Sequence, residues 1–139
     1  FYGTLRQRLN PDAVVVTQAS TPFLTPRVLA SIEAGLRHVG FHTRPYTVAI
    51  PSFGPWGFVM ARARSWTPRF RSIPFATRWI DADQLPGLFA FPRDFLPERS
   101  DTVQANRMTR PVLLDYQRTD RRRRLLVPLP PITSLSDSR

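Results

Sequence analysis

The sequence predicts an α/β fold: part of an open sheet that ends in an antiparallel hairpin, followed by an irregular C-terminal extension. Three observations carry this. Ala13-Val-Val-Val-Thr-Gln-Ala19 is a short β-branched run without alternation, the pattern of a strand buried on both faces of an α/β sheet. Thr25-Pro26 opens an apolar stripe at helical spacing. From Phe41 the period becomes two, and it breaks at Ile50-Pro-Ser-Phe-Gly-Pro-Trp-Gly-Phe58, where Gly and Pro force the chain to reverse.

Taken in order, Phe1 to Leu9 reads as helix, stopped by Asn10-Pro11-Asp12. The strand that follows leaves through a polar loop, Gln18-Ala-Ser-Thr-Pro22. In open α/β sheets ligands sit beyond the carboxyl ends of the strands, which places Gln18 and Ser20 where a binding group would be useful. Each could equally cap the loop. Thr25 is a hydroxyl N-cap and Pro26 suits the first helical position. Val28, Leu29, Ile32, Leu36 and Val39 form the core stripe, with Arg27, Ser31, Glu33 and Arg37 largely outside it. Gly40 closes the helix.

The hairpin strands alternate Tyr46, Val48 and Ile50 against Thr47 and Ala49, then Phe58 and Met60 against Val59 and Ala61. Its faces are expected to be largely covered. Phe53 and Trp56 are expected on the tight turn between the strands, either as a ligand wall or as a lid over the hairpin's own core. Beyond Arg64 the chain is loop-rich, and the aromatics of the connector Ser65 to Pro74 are expected to pack back on the sheet. Asp81 before Gln84, then Leu85, Leu88 and Phe89, predicts a capped turn of helix that Pro86 keeps short. Val112 to Tyr116 predicts a last short strand or helix, and from Arg118 onward the mix of Arg, Ser, Asp and Pro reads as disordered.

The chain of 139 residues is about one domain in length. It starts at Phe1, inside a helix, and is expected to be a piece of a longer protein. With no Cys, thiolate metal sites and disulfides are excluded. His38 and His42 lack acidic neighbours at ligand spacing and are expected to be surface residues, with no metal bound. No apolar run approaches the roughly 18 residues of a membrane helix. The net charge of +10 comes wholly from arginine, densest at Arg121 to Arg124. That cluster lies beside Pro-rich sequence, away from any groove-reading helix, so nucleic acid is not the expected partner.

After the opening helix, the succession Val14-Val-Val-Thr-Gln18, Thr21-Pro22, Arg27 to Gly40, Arg44-Pro-Tyr46 and Ile50 to Ala61 resembles the C-terminal part of spermidine synthases. The likeness is nearest to bacterial polyamine aminopropyltransferases that carry membrane-spanning segments ahead of the enzyme domain. It continues through Thr77-Arg-Trp-Ile80, Leu88 to Pro92 and Val103 to Leu114. The resemblance implies a methyltransferase-like Rossmann sheet and divides the chain into three. Residues 1–64 are the C-terminal part of the catalytic domain, 65–117 an extension and 118–139 the tail.

The implied reaction moves an aminopropyl group from decarboxylated S-adenosylmethionine, a co-substrate and not a prosthetic group, to putrescine or a similar diamine. The family keeps its catalytic acid and its Gly-rich nucleotide loop upstream of the region resembled here. Asp81 and Asp83 do not match the catalytic pattern, so no catalytic residue is assigned, and the chain alone is expected to be inactive. What carries over is the far wall of the diamine site: Tyr46, or Thr47 in the alternative register, and Trp56. Phe53 replaces a Tyr common in soluble members, and Asp12 stands where such sheets often have Gly. The expected partners are the two small substrates, the rest of the same protein and a second copy. The expected place is the cytoplasm, with a membrane tether outside this chain. A related methyltransferase or non-catalytic relative, and a basic nucleic-acid or membrane-surface module, are the alternative readings.

Overall fold

The computed structural model describes residues 1–96 and 102–126. Helix α1 (Tyr2–Arg8) ends where Asn10 forms an Asx turn, its Oδ1 accepting the Asp12 N–H at 3.0 Å. Strand β1 (Val14–Gln18), helix α2 (Pro26–His38), and strands β2 (His42–Ile50) and β3 (Gly54–Arg62) follow. Three short 3-10 turns and helix α3 (Leu113–Leu126) complete the described chain. The sheet order is β1-β3-β2 with every pair antiparallel. β1 and β2 therefore run in the same direction with α2 as their crossover, and β3 fills the slot between them.

The register sorts the side chains. Val15, Thr43, Val59 and Ala61 share the face toward α2. There Ala19, Leu29, Leu36, Phe41, Val59 and Ala61 form the core, with Ile32 and Val39 packed against it. The helical stripe is thus core, as its spacing predicts. Gly40, at φ +88°, closes α2 in the left-handed region. Small residues let α1 approach α2, with Gly35 beside the Tyr2 ring.

The opposite face carries Gln18, Tyr46, Phe58, Trp56 and Met60. The segment after β3 folds back over it, and the 3-10 turn Pro86–Phe89 lies on β2. Asp81 caps the preceding turn as its spacing predicts, accepting the Gln84 N–H at 3.1 Å. This cover stops short of β1, where Val14 and Val16 stay 53% and 49% exposed. The reading of β1 as buried on both faces is corrected: its exposure alternates along the strand. Three consecutive valines report β-branching, which suits any strand, and carry no face information of their own.

Two further corrections concern α2 and the C-terminal part. Ser31 is fully buried, because its hydroxyl donates to the Gln104 carbonyl at 2.6 Å. Residues 118–126 are helix, so disorder does not begin at Arg118. Composition does not reveal a buried carboxylate: Asp120 is 4% exposed and joins α3 to α2. Asn106 supports the start of α3, its Oδ1 accepting the Val112 N–H at 2.9 Å. The remainder of the tail reading falls on residues 127–139, outside the described residues. Among the described residues no helix is long and apolar enough to cross a membrane, and the membrane attachment implied by the resemblance draws no support from them.

Candidate functional site

The hairpin outruns β1. Gln18, the last residue of β1, is level with Phe58 and Tyr46, while β2 continues to Ile50. Four more cross-strand pairs thus project beyond the carboxyl end of β1, the edge at which α/β sheets take ligands. The turn itself is only Pro51, Ser52 and Phe53, since Gly54 already pairs with Ile50. Gly54 re-enters the strand at φ +73°, a conformation that favours glycine.

This corrects the placement of Trp56. It lies within β3 opposite Val48, and only Phe53, 68% exposed, is on the turn. The two rings still meet edge to face at 5.6 Å. The Gly and Pro around Trp56 read as turn residues for a local reason that the fold overrides. By Pro55, β1 has ended, so β3 has an unpaired side there and a proline is tolerated.

Gly57 has a different task. Its carbonyl accepts the Ala19 N–H at 2.8 Å and its N–H donates to the Ser20 carbonyl at 2.6 Å. A Cβ built there would stand 2.6 Å from Leu29 Cδ1. The loop leaving β1, the hairpin and α2 converge at this residue. Ser20 holds the turn of that loop at φ 61°, and its hydroxyl lies 3.1 Å from that of Thr25. The Thr25 hydroxyl donates to the Thr21 carbonyl at 2.9 Å and makes no cap bond to α2. The helix start is capped from outside: the Asp120 carboxylate accepts the Arg27 N–H at 2.9 Å and pairs with Arg27 Nε at 2.5 Å.

Of the sequence-predicted site residues, Gln18, Tyr46 and Trp56 share one face of the sheet, and Ser20 sits in the adjoining loop. Thr47 faces the other way, opposite Gly57 on the α2 side. Tyr46 stacks on Phe58 at 5.3 Å with 18° between planes, and Phe89 approaches it at 5.5 Å. A cavity of about 260 Å³ opens beside it, walled by Met60, Trp66, Phe70, Leu88 and Phe89. Trp56 and Gln18 do not line that cavity. Phe70 thus packs back on the sheet, as expected of the connector's aromatics, and meets Phe89 of the predicted capped turn there. His38 and His42 are exposed, and among the described residues no group of three or more His, Cys, Asp or Glu could hold a metal.

Residues 1–69 match the spermine/spermidine synthase domain. Through these residues the chain belongs to the spermine/spermidine synthase family. The chain is 35% identical over 123 residues to a protein named polyamine aminopropyltransferase 2 from Ralstonia nicotianae, covering 86% of this chain and 23% of the relative. It is 34% identical over 118 residues to polyamine aminopropyltransferase 1 of Streptomyces coelicolor, covering 84% of this chain and 22% of that one. A polyamine aminopropyltransferase of Mycobacterium tuberculosis is 34% identical over 103 residues, 73% of this chain and 20% of the relative. The chain thus spans less than a quarter of the length of these relatives. Its mixed α/β fold, a sheet with α2 packed on one face, is consistent with the methyltransferase-like fold of the family.

Within this family member, burial raises the pKa of the Tyr46 hydroxyl above its ordinary value of 10.0 by removing water from the phenolate. A tyrosine whose folded pKa is raised favours the protonated, folded state, so its contribution is complete below pH 10 and is lost as pH rises through the folded value. In an alkaline absorbance titration, Tyr46→Phe is expected to remove a transition lying above the usual tyrosine range. A difference titration centred at or below that range would show a solvated ring.

Proposed function

We propose that the protein carrying this chain transfers an aminopropyl group from decarboxylated S-adenosylmethionine to putrescine or a similar diamine. The single observation that carries the reading is the identity, over 86% of this chain, to a protein named as an aminopropyltransferase. The amine lone pair attacks the methylene carbon bonded to the sulfonium. The carbon–sulfur bond breaks with its electrons onto sulfur, and the new ammonium gives up a proton to a base. That base and the nucleotide loop belong to parts of the protein outside this chain, and we assign no catalytic residue here.

The role of this chain is to build the far wall of the diamine pocket. A diamine needs apolar surface along its methylenes and π-faces or carboxylates at its charged ends. Tyr46 and Trp56 supply such surfaces on the face they share. Gln18 offers a carboxamide at the carboxyl edge, and Ser20 shapes the loop beside it.

Trp56→Ala is expected to lower kcat/KM for the diamine roughly 10- to 200-fold, the loss of about 1–3 kcal/mol of contact, with the adenosyl donor little affected. Steady-state kinetics with each substrate varied in turn, and melting recorded alongside, make the test. Equal damage to both substrates with a lowered melting temperature would assign Trp56 to the hairpin's own packing.

A further inference from the structure

A second cavity, of about 510 Å³, opens at the other end of the strands, near the start of β1 and the end of β3. Val14 lies four residues before Gln18, about 13 Å along the strand, so this cavity opens away from the carboxyl edge, though it adjoins the Tyr46 cavity and shares Met60, Trp66 and Arg69 with it. Val14, Met60 and Trp66 give it an apolar floor and wall, and Arg62, Arg69 and Arg71 surround it with Thr67. No carboxylate lines it.

The arginines have few partners of their own. Asp12 lies 3.9 Å from Arg62 and 3.7 Å from Arg64 and reaches neither of the other two. Arg62 also donates to the Asp12 carbonyl at 3.2 Å, yet its Nε is buried with no hydrogen-bond partner. Among the described residues Arg69 and Arg71 make no ion pair or hydrogen bond. The sequence explains their placement. In Arg69-Phe70-Arg71 the two arginines line this cavity, while Phe70 packs on Phe89 at 5.7 Å beside Tyr46. Trp66 is fixed as a wall because its indole N–H donates to the His42 carbonyl at 3.1 Å.

Gathering three guanidinium groups around one cavity costs mutual repulsion that an anion relieves. Planar forks around an open cleft suit a group with several acceptor oxygens, and a phosphate offers more of these than a carboxylate. We propose that the Arg62–Arg69–Arg71 cavity binds a phosphate group, either free or as the headgroup of an anionic phospholipid. This inference is independent of the aminopropyl reading, since neither substrate of that reaction carries a phosphate.

The test uses the intact protein at low ionic strength, because such binding is screened by salt. Calorimetry reads inorganic phosphate, and co-sedimentation reads vesicles of phosphatidylglycerol against vesicles of phosphatidylcholine. Arg69→Ala/Arg71→Ala is compared with Arg8→Ala/Arg118→Ala, which removes the same charge elsewhere on exposed helix positions. The cavity variant is expected to weaken binding about tenfold or more, with the control unchanged and both folded by melting. Loss of inorganic phosphate binding identifies a free ligand, and loss of phosphatidylglycerol binding alone identifies the lipid. Absence of binding to either probe, or equal weakening in the two variants, overturns the proposal.

Discussion

Gly57→Ala will destabilise the protein by about 1–3 kcal/mol, the usual cost of forcing an extra methyl group into a packed core. The new Cβ would meet Leu29 Cδ1 at 2.6 Å and both Pro22 Cδ and the Ser20 carbonyl at 3.1 Å. A side-chain end can give way. The carbonyl cannot move without breaking its bond to the Gly57 N–H. Chemical denaturation should show a lower midpoint with an unchanged slope. Introducing Leu29→Ala first should make the added cost of Gly57→Ala smaller, because the closest clash is gone. An equal cost in both backgrounds would place the strain at the loop backbone and not at α2.

Asp120→Ala is expected to cost about 2–3 kcal/mol, below the range for a fully buried ion pair because the Arg27 side chain left behind is 24% exposed. Three interactions go together: the pair with Arg27 Nε, the bond from the Arg27 N–H, and a negative charge placed at the N-terminus of α2. Arg27 then keeps its hydrogen bond to Thr119 and its place over the Tyr116 ring, but the first turn of α2 has lost its cap. Hydrogen exchange should quicken there and along α3 alike. Deleting every residue after Gln117 should cost at least as much, so this segment is a structural part of the domain and not an expendable tail. A variant with unchanged stability would make the Asp120 contact ornamental.

Much of the framework was legible in the sequence because it rests on short-range rules. The α2 stripe, the Gly40 stop, the Asp81 cap and the two-residue period of the hairpin all follow from neighbours in the chain. What was not legible depends on partners far away. Ser31 looks like a surface residue until the Gln104 carbonyl arrives, and Asp120 looks like part of a charged tail until Arg27 is beside it, 93 residues away in sequence. Trp56 departs from its expected place on the turn for the same reason. Its Gly and Pro neighbours signal a turn locally, and only the early end of β1 allows them in a strand. Of the proposed site, position at the end of β1 singles out Gln18 and the family resemblance singles out Tyr46 and Trp56; the register puts all three on one face of the sheet. The aromatic cover from the connector follows from its composition, but its aperiodic segment does not say that Phe70 and Phe89 meet at Tyr46.

The sheet order also has a consequence for how the chain is made. β3 is central but comes last of the strands in the chain, so β1 leaves the ribosome before the strand it pairs with here. Roughly 44 residues separate Gln18 from Arg62, about two to nine seconds of synthesis at the usual 5–20 residues per second. During that interval the edge of the three-valine run that takes β3 is open, the condition under which strands pair with the wrong neighbour. α2 can shelter one side of that run, since its apolar stripe emerges first. β1 gains β3 as its partner only when the hairpin is complete.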